Sequence, residues 1–135
     1  MRSPWWGNGS GRRERRRRLA RGRGGEWRAA LWLRLRGYRI LYRRLRTPVG
    51  ELDLVAVRGG VLAVVEVKRR PDPEAARAAL GPIQRRRIEA AARWLLAVRP
   101  DLAGLRLRFD LVAVPARGLP RHLPDAWRPE GSSPA

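Results

Sequence analysis

Two apolar stretches joined by a glycine-containing turn constrain the fold of this chain more than any other feature. Residues 51–57 and 61–68 are rich in valine and leucine, and Arg58-Gly59-Gly60 separates them. This pattern is typical of a β-hairpin closed by a two-residue turn at the glycines. The resulting pairing places Asp53 opposite Glu66, with their Cβ atoms about 5 Å apart.

Four ionisable side chains are therefore expected to converge on the hairpin. By the two-residue period of a strand, Glu51 and Asp53 share one face, and so do Glu66 and Lys68 on the partner strand. Burying carboxylates close together costs free energy unless a cation compensates. The hard cations Mg²⁺ and Mn²⁺ prefer such oxygen ligands. The hairpin thus predicts a site for Mg²⁺ or Mn²⁺, and the arrangement suits phosphodiester hydrolysis.

Composition singles out Lys68. The chain has 31 basic residues, and Lys68 is the only one that is not arginine. A coding bias towards arginine explains the excess of arginine. Because Lys68 is a lysine despite this bias, we infer that an arginine guanidinium cannot replace the lysine ammonium group at this position. An ammonium group is a compact point charge that can approach one water or phosphate oxygen. We therefore expect Lys68 to orient the attacking water or to stabilise the phosphorus centre.

The remaining periodicity predicts an α/β fold. Helical spacing of apolar residues predicts helices over residues 26–36 and 82–97, and short runs of β-forming residues predict strands over 38–44 and 105–114. With the hairpin, these elements give a mixed sheet of four or five strands flanked by helices. The expected core residues are Leu31, Leu54, Val65, Ile88 and Leu111.

Composition shifts divide the chain into three parts. Residues 1–24 combine Gly, Ser and Pro with an arginine block and are predicted to form a disordered basic arm. Its role is left open between a solvated tail and a tether for nucleic acid. Residues 25–115 carry the periodic elements and are predicted to form the folded domain, which the family resemblance described below implies to be endonuclease-like. Residues 116–135 are rich in proline and are predicted to be a flexible tail.

Rare residue types exclude several classes of chemistry. The chain has no cysteine and one histidine, His122. Disulfide frameworks, cysteine-ligated metals and thiol nucleophiles are excluded, and most Ser-His-Asp schemes with them. No apolar run is as long as a membrane span, and no secretory signal is visible. The expectation is a soluble cytoplasmic protein.

The charge balance indicates a polyanionic partner. The net charge is +19, which is more than solubility requires. Nucleic acid is preferred over an anionic membrane surface, since no long amphipathic helix with a bulky apolar face accompanies the charge. The sequence leaves a homodimer open.

Several motifs together resemble a known family. In the order in which they occur, they look like those of the YraN-like family of small bacterial proteins, within the PD-(D/E)xK restriction-endonuclease-like superfamily. The resemblance covers about residues 24–114 and is carried by Gly25-Glu26-Trp27-Arg28-Ala29-Ala30, Arg36-Gly37-Tyr38-Arg39-Ile40-Leu41, Gly50-Glu51-Leu52-Asp53-Leu54-Val55, Val65-Glu66-Val67-Lys68-Arg69-Arg70 and Arg108-Phe109-Asp110. It implies a restriction-endonuclease-like sheet flanked by helices, a Mg²⁺-dependent nuclease site and similarity to Holliday-junction resolvases.

The resemblance also implies roles for single residues. Asp53 matches the motif aspartate, Glu66 and Lys68 match its Glu-x-Lys, and these three are the predicted catalytic residues. Glu26 matches an acidic residue on the first helix and joins Asp53 and Glu66 as a predicted metal ligand. The predicted nucleic-acid contacts on this basis are Arg70, which follows the lysine, and Gln84, which stands where relatives often have lysine and for which either phosphate contact or water positioning is open. From its charge alone, Arg87 is also predicted to contact nucleic acid, with a solvated face as the alternative. The proline that gives the superfamily motif its name is replaced by Leu52.

Structural alternatives exist for three of the acidic residues. Glu51 could form a cross-strand ion pair with Lys68, which would explain both residues without catalysis. Glu26 could stabilise the first turn of a helix through the helix dipole. For Asp110, a structural pairing with Arg108 is preferred over a catalytic role.

Three functions are compatible with these patterns. The leading one is a Mg²⁺-dependent endonuclease that hydrolyses phosphodiester bonds of DNA, with branched DNA included among its substrates. The alternatives are a nucleic-acid-binding protein that keeps the scaffold without cleaving, and an arginine-rich RNA-associated factor that acts through its tail. Retention of Asp53, Glu66 and Lys68 favours the enzyme.

Overall fold

The computed structural model describes residues 25–131. A first helix, α1 (residues 25–35), precedes a five-stranded sheet and two further helices. In chain order, the later elements are β1 (Arg39–Thr47), β2 (Gly50–Arg58), β3 (Val61–Lys68), α2 (Pro73–Ala79), α3 (Pro82–Val98), a 3₁₀ turn (Pro100–Leu102), β4 (Arg106–Ala113) and β5 (Arg121–Trp127).

The sheet is mixed, and its strands lie side by side in chain order. β3 and β4 are parallel, and every other neighbouring pair is antiparallel. The parallel pair needs a long crossover, which α2 and α3 provide. This arrangement confirms the predicted α/β fold and is consistent with a restriction-endonuclease-like sheet.

The central hairpin has the predicted register. The β2–β3 ladder runs from the pair Arg58 and Val61 at the turn to the pair Leu54 and Val65. Gly59 has a φ of 57°, which is the left-handed conformation that a tight hairpin turn requires.

Helices cover both faces of the sheet with apolar side chains. One buried cluster includes Ile88 and Leu95 of α3 packed with Leu111 of β4. The other includes Leu33 of α1 packed with Leu54. The predicted core positions 54, 65, 88 and 111 are therefore buried, as expected.

The prediction for Leu31 is wrong, because its side chain is 43% exposed. In α1 the buried stripe consists of Glu26, Ala29, Ala30 and Leu33, which follows helical spacing. The phase of that stripe differs by one residue from the sequence prediction, and Leu31 consequently faces outward.

The Pro-rich segment 116–135 contains a strand that its composition did not indicate. Residues Arg121–Trp127 form β5, so the interpretation of this stretch as a flexible tail is wrong. β5 pairs only with β4 and therefore lies at the edge of the sheet. An edge strand tolerates proline, because no backbone N–H is needed on the side that faces away from the sheet. The short helix α2 (Pro73–Ala79) is not among the helices that the sequence patterns predicted.

Two further expectations concern the basic arm and membrane-spanning helices. The predicted basic arm, residues 1–24, lies outside the described residues. Within residues 25–131, no helix is long and apolar enough to cross a membrane.

Candidate functional site

The predicted site lies where the backbone pairing of the central hairpin ends. Beyond Leu54 and Val65 the β2–β3 ladder stops. There the Asp53 carboxylate accepts a hydrogen bond from the backbone N–H of Val67 at 2.8 Å. Because a side chain replaces the next ladder bond, the Asp53 carboxylate is held between the two strands.

Glu66, Lys68 and Gln84 form a polar network beside Asp53. Gln84 Nε2 donates to Glu66 Oε1 at 2.8 Å, and Lys68 Nζ donates to Gln84 Oε1 at 3.0 Å. Lys68 Nζ also lies 3.5 Å from Glu66 Oε1. Glu66 and Lys68 lie two residues apart on β3 and therefore share the face that meets Gln84 in the first turn of α3. The amide of Gln84 thus fixes both the carboxylate and the ammonium group.

A second set of carboxylates adjoins Asp53. Glu26, in the first turn of α1, and Glu51, on β2, each place a carboxylate oxygen within 4.8 Å of the others and of Asp53. Glu26 is buried, whereas Glu51 is exposed. We call Glu26, Glu51, Asp53 and Glu66 the acidic cluster. The β2–β3 hairpin supplies three of these residues, and the packing of α1 on the sheet brings Glu26 to them.

Arg44 of β1 contacts the acidic cluster and was not predicted to do so. Its Nε lies 3.3 Å from Glu26 Oε2 and 3.9 Å from Glu51 Oε1. Arg44 has a φ of 56°, a left-handed conformation that costs a non-glycine residue about 1–2 kcal/mol. Strained backbone of this kind often accompanies functional sites. One arginine among so many carries no signal in the sequence that would have identified it.

Burial and crowding raise the pKa values of the cluster. Burial raises the pKa of Glu66 well above its ordinary value, and the nearby charge of Asp53 raises it further, while Lys68 opposes both effects. Burial also raises the pKa of Asp53, against the hydrogen bond from Val67. The two carboxyl groups share a hydrogen bond that favours the charged form of Asp53 and the protonated form of Glu66.

Glu26 shows the same effect at the edge of the cluster. Burial and then the charge of Asp53 raise its pKa to about 7, although Arg44 opposes this. Several carboxylates that resist ionising together are what a site for a divalent cation requires, since a bound cation would supply the missing positive charge. The donors are all hard oxygens, so the cluster fits Mg²⁺ or Mn²⁺.

The structure brings together most, but not all, of the predicted site residues. Glu26, Asp53, Glu66, Lys68 and Gln84 meet as described above. Two of the predicted nucleic-acid contacts, Arg70 and Arg87, do not join this network. The side chain of Arg70 is exposed and donates to the backbone oxygen of Arg69. Arg87 is exposed on α3.

Two of the structural alternatives can also be compared with the geometry. Among the ion pairs within residues 25–131, Glu51 contacts Arg44 and Arg46 rather than Lys68. Asp110, by contrast, does pair with Arg108 as predicted.

Comparisons with known proteins agree with the motif resemblance. Residues 25–114 match the profile of a family described as the uncharacterised protein family UPF0102. A UPF0102 protein of Parvibaculum lavamentivorans is 58% identical over 101 residues, which cover 75% of this chain and 76% of the relative. One from Caulobacter vibrioides is 56% identical over 106 residues, covering 78% and 85%. Another from Paramagnetospirillum magneticum is 53% identical over 112 residues, covering 80% and 87%.

The matched region contains α1, the central hairpin, α3 and β4, and therefore all the residues of the acidic cluster together with Lys68 and Gln84. The predicted YraN-like resemblance is confirmed, and the chain belongs to the family UPF0102.

Proposed function

We propose that this protein is a Mg²⁺- or Mn²⁺-dependent endonuclease that hydrolyses phosphodiester bonds of DNA. One observation carries the proposal: buried carboxylates of raised pKa lie next to the only lysine of the chain, and Gln84 holds Glu66 and Lys68 together. A structural ion pair would need neither the additional carboxylates nor their crowding. Perturbed pKa values of this kind cluster at catalytic sites.

Asp53 and Glu66 would hold the metal ion, with Glu26 and Glu51 as further oxygen donors. A bound Mg²⁺ supplies charge stabilisation at the phosphate and lowers the pKa of a coordinated water. Lys68 Nζ, fixed by Gln84 at 3.0 Å, would orient the attacking water or stabilise the negative charge that develops on the phosphate. Gln84 is a positioning residue in this scheme, because it contacts Glu66 and Lys68.

DNA is the proposed substrate because of the net charge of +19. Neutralising phosphates releases counterions irrespective of sequence, so binding should weaken steeply with salt. The exposed side chains of Arg70 and Arg87 would supply phosphate contacts near the cluster. Branched DNA is the substrate form to test first, since the family resemblance implies similarity to resolvases.

The decisive experiment incubates the full chain with branched, duplex and single-stranded DNA in Mg²⁺ or Mn²⁺. Asp53→Asn and Lys68→Arg should each reduce cleavage at least about 100-fold, because each removes a group that would act on the transition state. Asp101→Asn is the matched control, because Asp101 is exposed and pairs with Arg99 away from the cluster. Full activity of Lys68→Arg would remove Lys68 from the chemical step.

One observation favours a second candidate function, nucleic-acid binding without cleavage. Arg44 already places a guanidinium 3.3 Å from Glu26, and so supplies part of the positive charge that a metal ion would bring. If the wild-type protein binds DNA with a steep salt dependence and cleaves none of the three substrates with either metal, this second function replaces the first.

A further inference from the structure

A basic cleft lies apart from the acidic cluster. It has a volume of about 850 Å³ and is bounded by the C-terminal half of α1, the end of β2 and the segment that leads into β5. Trp32 of α1 and Arg36, which follows the helix, form one wall, and Arg117 and Arg121 belong to the other. This volume falls within the range of sites that enclose small organic ligands.

The charged residues that line the cleft within residues 25–131 are all basic. Arg36, Arg58, Arg117 and Arg121 are exposed, and no acidic side chain from this range lines the cleft. None of the four forms an ion pair with another residue in the part of the chain that the structure describes. Such a concentration of uncompensated positive charge attracts an anionic ligand.

The cleft also offers flat surfaces for stacking. The guanidinium of the exposed Arg36 lies 4.6 Å from the ring centroid of the half-buried Trp32. The ring of Tyr38 is itself buried, and the guanidinium of the exposed Arg58 covers it at 4.7 Å from its centroid. Aromatic rings and guanidinium planes are the surfaces on which unpaired bases stack. A duplex cannot use these surfaces, because its bases are already stacked on one another.

Internal hydrogen bonds fix the walls of the cleft. Arg28 of α1 donates to the backbone oxygens of Pro115 and Gly118 and so ties the segment before β5 to the helix. At the floor, Arg108 donates to the hydroxyl group of Tyr38 at 2.6 Å. A site whose walls are held in this way loses little conformational entropy when a ligand binds.

From these features we propose that the basic cleft binds single-stranded DNA that extends from the acidic cluster. α1 joins the two places, since Glu26 lies in its first turn and Arg36 just beyond its last residue. At about 1.5 Å per residue, they are about 15 Å apart along the helix axis. At about 3.4 Å per stacked nucleotide, this distance corresponds to about four nucleotides. The proposal rests on the proposed function for the choice of DNA as the polyanion.

The test measures binding of the full chain in EDTA, where metal-dependent cleavage cannot contribute. A fluorescent oligothymidylate of about 12 nucleotides lies within the usual size of single-strand sites. An abasic strand and a duplex of equal length serve as comparisons. The cleft variant is Arg36→Gln/Arg117→Gln/Arg121→Gln, and the matched control is Arg77→Gln/Arg86→Gln/Arg93→Gln, which removes the same charge from exposed positions on α2 and α3.

The cleft variant should weaken binding of the oligothymidylate about tenfold more than the control does, and the two variants should affect the duplex equally. Trp32→Leu, which keeps the charge, should weaken binding of the oligothymidylate about tenfold and leave the abasic strand unchanged. Equal losses in the cleft and control variants would overturn the proposal. Displacement of the oligothymidylate by low concentrations of thymidine monophosphate would also overturn it, since it would identify a mononucleotide pocket.

The binding result and the proposed function can fail separately. If the protein binds single-stranded DNA in the cleft but cleaves no substrate in Mg²⁺, only the proposed nuclease function is overturned. If the protein cleaves DNA but the cleft variant binds the oligothymidylate as the control variant does, only the proposal for the cleft is overturned.

Discussion

The buried carboxylate of Asp110 and the acidic cluster differ in what surrounds them. Asp110 of β4 is fully buried, and each of its oxygens accepts a hydrogen bond from Arg108 at 2.8 Å. Its Oδ2 also lies 2.8 Å from His122 Nε2, and its Oδ1 accepts from the backbone N–H of Asp125 at 3.0 Å. The acidic cluster has four carboxylates, and fewer donors contact each of them.

The pKa values reflect this difference. Burial alone would raise the pKa of Asp110, but the hydrogen bonds from His122 and Arg108 outweigh burial and lower it below its ordinary value. Burial raises the pKa of Glu66 and Asp53 instead, because their donors do not compensate. Burial by itself is therefore no sign of function. A buried carboxylate whose hydrogen bonds outweigh the cost of burial stabilises the fold. A buried carboxylate whose pKa stays raised despite a nearby Lys68 or Arg44 is a candidate ligand for a further cation.

The largest expected effect that tests this contrast is on stability at Asp110. Asp110→Asn should lower the free energy of unfolding by about 3–5 kcal/mol, because it leaves the mostly buried guanidinium of Arg108 without its partner. Urea denaturation of the two proteins measures the difference. A loss below about 1 kcal/mol would mean that the Asp110 ion pair contributes little and that the contrast is wrong.

Metal binding should have the next largest effect, and only at the acidic cluster. At a concentration about 100 times its dissociation constant, Mg²⁺ or Mn²⁺ should stabilise the wild-type protein by about 2.7 kcal/mol. Asp53→Asn should remove most of this gain because it removes a ligand, whereas Asp101→Asn should keep it. Thermal unfolding with and without the metal measures the gain, and an equal gain in both variants would place the bound ion elsewhere.

The two groups should also give opposite responses to pH in the absence of metal. Glu26 keeps its proton up to a pKa of about 7 in the folded protein but loses it near 4.5 in the unfolded chain. Stability should therefore fall as the pH rises from 4.5 to 7, by at most about 1.4 kcal/mol per pH unit for one carboxyl. Glu26→Gln should flatten this decline in a series of unfolding curves.

Asp110 has the opposite sign. Because its pKa is lowered, it contributes stability above its ordinary value of 3.8, and this contribution is lost as the pH falls further. A wild-type protein whose stability rises steadily from pH 4.5 to 7 would contradict the behaviour expected of Glu26.

The smallest expected effect is on the stability of Asp53→Asn without metal. At neutral pH this variant should be about 1 kcal/mol more stable than the wild type, because it removes a crowded carboxylate. The asparagine oxygen can still accept the hydrogen bond from Val67. Chemical denaturation in EDTA measures the change, and a clear loss of stability would show that Asp53 is compensated in the way Asp110 is.

Much of the fold could be predicted because local rules fix it. A two-residue glycine turn sets the register of the β2–β3 hairpin, and the alternation of side chains then places Asp53 and Glu66 near each other. β5 could not be predicted, since Pro124 within it and the prolines around it argue against a strand unless the strand is known to lie at the edge of the sheet. The prediction for Leu31 failed by one residue in the phase of α1.

The candidate site could be predicted only in part. Lys68 was identifiable because lysine is otherwise absent, and Glu66 because it interrupts an apolar strand. Arg44 was not, because its contact with Glu26 depends on a left-handed backbone conformation inside a strand. The basic cleft was not predicted either, since its arginines come from α1, β2 and the segment around residue 120.

The partners of Asp110 also bear on the order in which the chain folds during synthesis. Arg108 is made before Asp110, but His122 and the backbone N–H of Asp125 are made after it and lie beyond the segment that matches the family, which ends at residue 114. A nascent chain that stops short of these residues has a carboxylate on β4 with only part of its hydrogen bonds, which makes burial costly. We therefore expect the second half of the sheet to gain its full stability only after residue 125 has been synthesised.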